Sequence, residues 1–187
     1  MANEVLVKHG AQLLFADHAT DFGSAPATAA NSLIIGTPTN VQIDLTGVAA
    51  SGGARQAAKA DLTTPRALRW SVSACLEFET APADGGEVGF FWASSPSSTA
   101  GTGNPGGTTG SDAAFTDTDG NLGQMQYIGS LYVRNNVINI GFVGIFVPQF
   151  QYGNLVIVNR ASTALRSTAT AMDETHIVMN ELIDEIQ

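Results

Sequence analysis

Charge is what this chain has least of. Only 13% of its 187 residues are Asp, Glu, Lys or Arg, against roughly 25% in ordinary soluble domains. So weakly charged a surface is expected where much of the chain meets neighbouring subunits instead of water. Basic residues are the scarcer sign: eight Lys and Arg stand against 17 Asp and Glu, a net charge of −9. They are scattered, and after Arg166 none follows, while Asp173, Glu174, Glu181, Asp184 and Glu185 do. A nucleic-acid partner needs clustered Lys and Arg against phosphate, and this distribution argues against one. Cysteine is nearly missing too. A lone Cys75 excludes an internal disulfide framework and fits synthesis in a reducing compartment. No apolar run approaches the roughly 20 residues that span a bilayer as a helix. The opening MANEVLVKHG lacks the basic-then-apolar order of a signal peptide. The expectation is a protein soluble when made, with no membrane partner.

Helical patterning is scarce as well, and strands take its place. Trp70, Val72, Ala74, Leu76 and Phe78 alternate with Arg69, Ser71, Ser73, Cys75, Glu77 and Glu79, the period of two that marks a strand with one buried and one wetter face. Val41, Ile43 and Leu45 repeat it over a shorter span. Val88 to Trp92, Gln124 to Val133, Val137 to Val147 and Leu155 to Asn159 are β-branched or aromatic runs bounded by turn residues. Arg134-Asn135-Asn136 is a hairpin candidate, since Asn tolerates the left-handed conformation of tight turns. Val5 to Val7 and Leu13 to Phe15 suit two further short strands. Asp173 to Gln187 suits a helix or a strand, and a closing strand is favoured. About eight strands with frequent turns predict an all-β fold, a β-sandwich or jelly roll. The expected organisation is an extended N-terminal arm over 1–31 and one sandwich domain over 32–187.

Between two of these strands lies a long Gly/Ser/Thr loop, residues 94–121. Its first part, Ser94 to Ser111, carries no charge and holds five glycines and two prolines, which exclude a lasting helix or central strand. Such loops usually bind something or are disordered, and a neutral one suits another protein surface. Gly101, Gly103 and Gly106 spell the spacing of a dinucleotide fingerprint, but Pro105 interrupts it and no helical pattern follows, so no cofactor is expected. Asp112, Asp117 and Asp119 offer oxygen ligands, yet counting from Asp117 puts Leu122 and Ile128 where an EF-hand needs Gly and Glu. No metal site is assigned.

Nor does a catalytic constellation stand out. His9, His18 and His176 lack the close spacing of zinc ligands, and each reads as a surface or sheet residue. Cys75 falls on the wetter side of its strand and reads as a half-buried inert thiol. Glu77 and Glu79 read as the solvated side of the same strand. The chain is not expected to be an enzyme. Trp92, Tyr127, Tyr132 and Tyr152 are amphipathic aromatics that a sugar face can stack on, with Trp92 and Tyr152 best placed beside loops. Trp70 reads as core.

Several segments resemble a group of tailed-bacteriophage virion proteins. They are Ala57-Ala58-Lys59-Ala60-Asp61-Leu62, Phe90-Phe91-Trp92-Ala93-Ser94-Ser95-Pro96-Ser97, Gly103-Asn104-Pro105-Gly106-Gly107 and Gly110-Ser111-Asp112-Ala113-Ala114. Gln126-Tyr127-Ile128-Gly129-Ser130 and Phe146-Val147-Pro148 through Tyr152 to Asn159 extend the resemblance, which covers about residues 55 to 187. It implies a non-enzymatic structural component of capsid, tail or fibre, built into the virion in many copies after synthesis in the bacterial cytoplasm. The partners implied are copies of itself and other virion proteins. Subunit contacts are expected from the N-terminal arm and the long loop, with Trp92, Asn104, Pro105 and Tyr152 as candidate contact residues. The alternative is a receptor- or glycan-binding module of a fibre or baseplate.

Overall fold

The structure, a computed structural model, describes residues 5–17, 31–63, 68–118, 120–167 and 175–186. Among the described residues eleven strands form: β1 (Val5–Ala16), β2 (Thr39–Gln42), β3 (Gly53–Gln56), β4 (Ala60–Asp61), β5 (Arg69–Glu77), β6 (Glu87–Ser95), β7 (Ala113–Phe115), β8 (Gln126–Tyr132), β9 (Ile138–Phe146), β10 (Tyr152–Asn159) and β11 (His176–Ile186). They build two sheets, one ordered β2-β1-β11-β5-β9 and the other β7-β3-β10-β6-β8, with β4 added alongside β10.

Eight of these strands pair as a nested hairpin. The outermost pair is β1 with β11, inside it β3 with β10, then β5 with β9, and innermost β6 with β8, all antiparallel. The first and third pairs join through β11–β5 to make one sheet, and the second and fourth join through β10–β6 to make the other. A long hairpin rolled so that successive pairs alternate between two sheets is a jelly roll. The β-sandwich expected from the period-two runs is therefore the fold.

Alternation along the strands fills the space between the sheets. Trp70, Val72, Ala74 and Leu76 of β5 and Ile177 and Met179 of β11 meet Val88, Phe90 and Trp92 of β6 and Leu155 and Ile157 of β10 in one cluster. The Trp92 and Phe146 rings pack across it with centroids 5.5 Å apart. Burial of this apolar surface, at roughly 25 cal/mol per Å², is the main force holding the two sheets face to face.

Four expectations need correction. Val5–Ala16 is one strand, not two, and it lies between β2 and β11, so residue 31 does not separate an arm from the sandwich. Its one irregularity is a register shift between His9 and Gln12. Residues 18–30, the rest of the expected arm, fall outside the described residues. Arg134-Asn135-Asn136 does turn the chain, with Arg134 N–H donating to Asn139 Oδ1 at 2.7 Å. It is no hairpin, however, because β8 and β9 belong to different sheets. The two edges nevertheless close tightly: a Cβ at Gly129 would stand 2.2 Å from the Val143 carbonyl oxygen, and one at Gly144 would stand 2.3 Å from that of Ile128. Only glycine permits that approach.

The last two corrections concern the outer side of β5. Cys75 is fully buried instead of half-buried, since its register neighbours Ile140 and His176 flank it on both sides. Glu77 is buried and ion-paired with Arg166 instead of solvated. Glu79, at the strand's end, is exposed as expected. The segment 176–186 is the closing strand.

Candidate functional site

The Gly/Ser/Thr loop leaves the end of β6, crosses the outer face of its own sheet to place β7 beside β3, and returns to β8 at the opposite edge. It adds a second, smaller core on that face, where Phe115, Met125 and Leu122 cover Phe91, Ala93, Val156 and Val158. The glycines follow from this path. Gly101, Gly103, Gly106, Gly107 and Gly110 all have φ between 62° and 75°, the left-handed region that L side chains resist.

One lysine holds the loop from within. The Lys59 ammonium donates to Ser95 Oγ at 3.0 Å and to the carbonyls of Ser97, Thr99 and Thr102 at 2.9, 2.8 and 3.0 Å. Partial burial pulls its pKa below the ordinary lysine value, while these acceptors favour the charged form. Backbone contacts complete the anchoring: Lys59 N–H donates to Gly110 O, Gly101 N–H to Thr109 O, and Thr109 N–H to Gln56 Oε1 at 2.7 Å. At the loop's far end Asp112 accepts from Arg55 Nε at 2.8 Å and from Asp44 N–H at 3.1 Å. Burial works against the Arg55 charge, but Asp112, Asp44 and Asp17 outweigh it and raise its pKa.

Where β6 ends, a cleft of about 570 Å³ opens between loop and sandwich, lined in part by Trp92, Asn104, Pro105, Gln126 and Phe150. Three of the four predicted contact residues thus come together. Their exposure differs from expectation. Trp92 is fully buried in the main core, so its indole cannot reach a subunit or serve as an open sugar platform. Its place on the inward-facing side of β6, in register with Phe90 and Val88, is the reason. Asn104 and Pro105 are half-buried. Tyr152, also half-buried, starts β10 and pairs with Ser95 and Asp61 outside the cleft lining.

Tyr127 and Tyr132 are exposed on β8. Of the glycine fingerprint, all three positions are left-handed, and no α-helix follows among the described residues. Asp117 accepts from Leu122 N–H and Asp112 is held by Arg55. Asp119 and His18 lie outside the described residues. Among those described, no group of three His, Cys, Asp or Glu is placed to hold a metal. His176 is fully buried, its Nε2 accepting from Leu33 N–H at 3.0 Å.

A feature the sequence reading did not single out lies along β8 and β9. Tyr132 is 73% exposed, Phe142 60% and Ile145 51%, and Tyr127, Ile140, Val147 and Phe150 are exposed with them. Charge is missing there: no Asp, Glu, Lys or Arg occurs from Asn135 to Asn159. That charge-free run was the available signal. Compared with family models, curated proteins and solved structures, the chain matches none.

Proposed function

We propose that this chain is a non-enzymatic structural protein of a tailed-phage virion, working by packing against copies of itself through the β8–β9 edge. The apolar row on β9 carries the reading. Natural sheets protect edge strands with charge, proline or a covering element, and an exposed apolar patch of this kind marks an interaction surface. Ile140, Phe142 and Ile145 have neither a charge on their strand nor a covering segment among the described residues. The jelly roll is compatible with the phage resemblance, since viral capsid domains use it, although fold alone assigns no function.

The interface is tested by light scattering on the purified protein and on the double variant Phe142→Asp, Ile145→Asp. The wild type is expected as a multimer at micromolar concentration and the variant as a monomer with its cooperative unfolding transition retained. A monomeric wild type, or a variant that assembles unchanged, overturns the packing. Immunogold labelling of purified particles with an antibody to the chain tests the virion assignment, and unlabelled particles would remove it.

A further inference from the structure

A second concave feature is the cleft at the end of β6, and we infer that it is a binding site for a neutral sugar residue. This goes beyond the assembly reading and does not rest on it. The volume of about 570 Å³ lies in the range of small-molecule sites. Its walls come from four separate stretches of chain: the end of β6, the loop at Gly103 to Pro105, the run Gly123 to Gln126 from the 3₁₀ turn into β8, and the β9–β10 connection at Gln149 and Phe150.

The chemistry of the lining selects the ligand class. None of its residues is charged, which disfavours phosphates, carboxylates and cations, whose binding requires compensating charge. Four carboxamides line it instead, Asn104, Gln124, Gln126 and Gln149, with the Ser94 hydroxyl. A carboxamide both donates and accepts, as does each hydroxyl of a sugar. Phe150, 44% exposed, gives an apolar face for the sugar's C–H side. Its backbone is tethered to the end of β6, where its N–H donates to Ser94 Oγ at 3.0 Å.

Unmet hydrogen bonds point the same way. Both polar atoms of the Asn104 side chain and Oε1 of Gln126 are shut from solvent without a partner, a costly arrangement in a folded protein. The fold has partnered other amides of the loop region, as Gln56 with Thr109 N–H and Gln124 with Gly106 N–H show. Asn104 and Gln126 are each half-buried overall and both line the cleft. Sugar hydroxyls there would supply the partners now missing.

The test is an NMR titration of ¹⁵N-labelled protein with methyl glucoside, methyl galactoside and N-acetylglucosamine. A glycan array of neutral and acidic oligosaccharides accompanies it. Neutral sugars are expected to shift the side-chain amide signals of Asn104, Gln124, Gln126 and Gln149. Phe150→Ala and Gln126→Met should each weaken the best array ligand by roughly tenfold or more. Gln126→Met should do so with Tm held or raised, because it replaces an unpartnered amide with an apolar chain of similar length. Phe150, being exposed, gives the answer even if the Gln126 variant folds poorly. Absence of binding by any neutral sugar, preference for acidic glycans, or wild-type affinity in Phe150→Ala overturns the assignment. Assembly mass measured on Gln126→Met stays unchanged, so failure here is distinguishable from failure of the packing at Phe142.

Discussion

The first part of the long loop, Ser94 to Ser111, and the β8–β9 edge are both without charge, yet the fold uses them in opposite ways. The loop turns inward: Lys59 satisfies three of its carbonyls, Gln56 one of its amides, and Phe115 seals it onto its own sheet. The edge turns outward and leaves Phe142, Ile145 and Tyr132 in water. Missing charge therefore has two meanings. In a glycine-rich loop it goes with a backbone that finds its partners inside the molecule. On a strand it leaves an apolar surface for which burial against another surface is favourable.

The same substitution in the two regions tests this most sharply. Phe115 is 6% exposed in the second core, so Phe115→Ala is expected to cost about 3 kcal/mol. Phe142→Ala, at 60% exposure, should cost the isolated subunit less than about 0.5 kcal/mol while weakening self-association. Urea unfolding at concentrations low enough to dissociate assemblies separates the two. Equal losses would mean that the edge is part of the subunit's own core.

Next in size is Lys59→Met, which keeps the stem and removes the ammonium. Ser95 Oγ and three carbonyls lose the ammonium, and only the Ser95 hydroxyl is left to serve the carbonyls of Ser97 and Thr102, at an expected cost of about 2 kcal/mol. Hydrogen exchange at Gly101 and Thr109 should accelerate while β9 amides keep their protection. Uniform acceleration would show that the loop is no separate unit. Gln56→Ala, which frees only Thr109 N–H, should cost about 1 kcal/mol by the same measurement.

The strands were legible because period two survives in the residues themselves: Trp70 to Leu76 alternates in the sequence and in the core. The loop's place was legible from its glycines and prolines, but its inward commitment was not. That depends on Lys59, far from it in sequence, and no local pattern marks a lysine that will meet carbonyls. Trp92 was misplaced for a related reason, since β6 is buried on both faces and nothing in Phe90-Phe91-Trp92 says which side meets a loop. Cys75 and Glu77 looked wet because alternation assigns faces without saying what covers them. The jelly-roll pairing of β1 with β11 is the longest-range contact of all, and only the topology reveals it.

The smallest expected effect concerns acid, and it separates subunit stability from assembly. The exposed Glu79 carboxylate accepts from Ser167 N–H at 2.6 Å and from its hydroxyl, and these bonds hold its pKa below the ordinary 4.5. A carboxyl with a lower pKa folded than unfolded binds fewer protons in the native state between the two values. Its contribution to stability is complete above about pH 4.5 and is lost as pH falls through the folded value. Glu79→Gln should therefore remove part of the acid sensitivity of Tm by slightly lowering stability at neutral pH. The β9 edge has no carboxyl to protonate, and acidification also reduces the net negative charge that makes copies repel one another. Assembly mass should not fall between neutral pH and the onset of acid unfolding, in wild type or Glu79→Gln. Dissociation before unfolding would mean that carboxylates, not Phe142 and its apolar neighbours, hold the copies together.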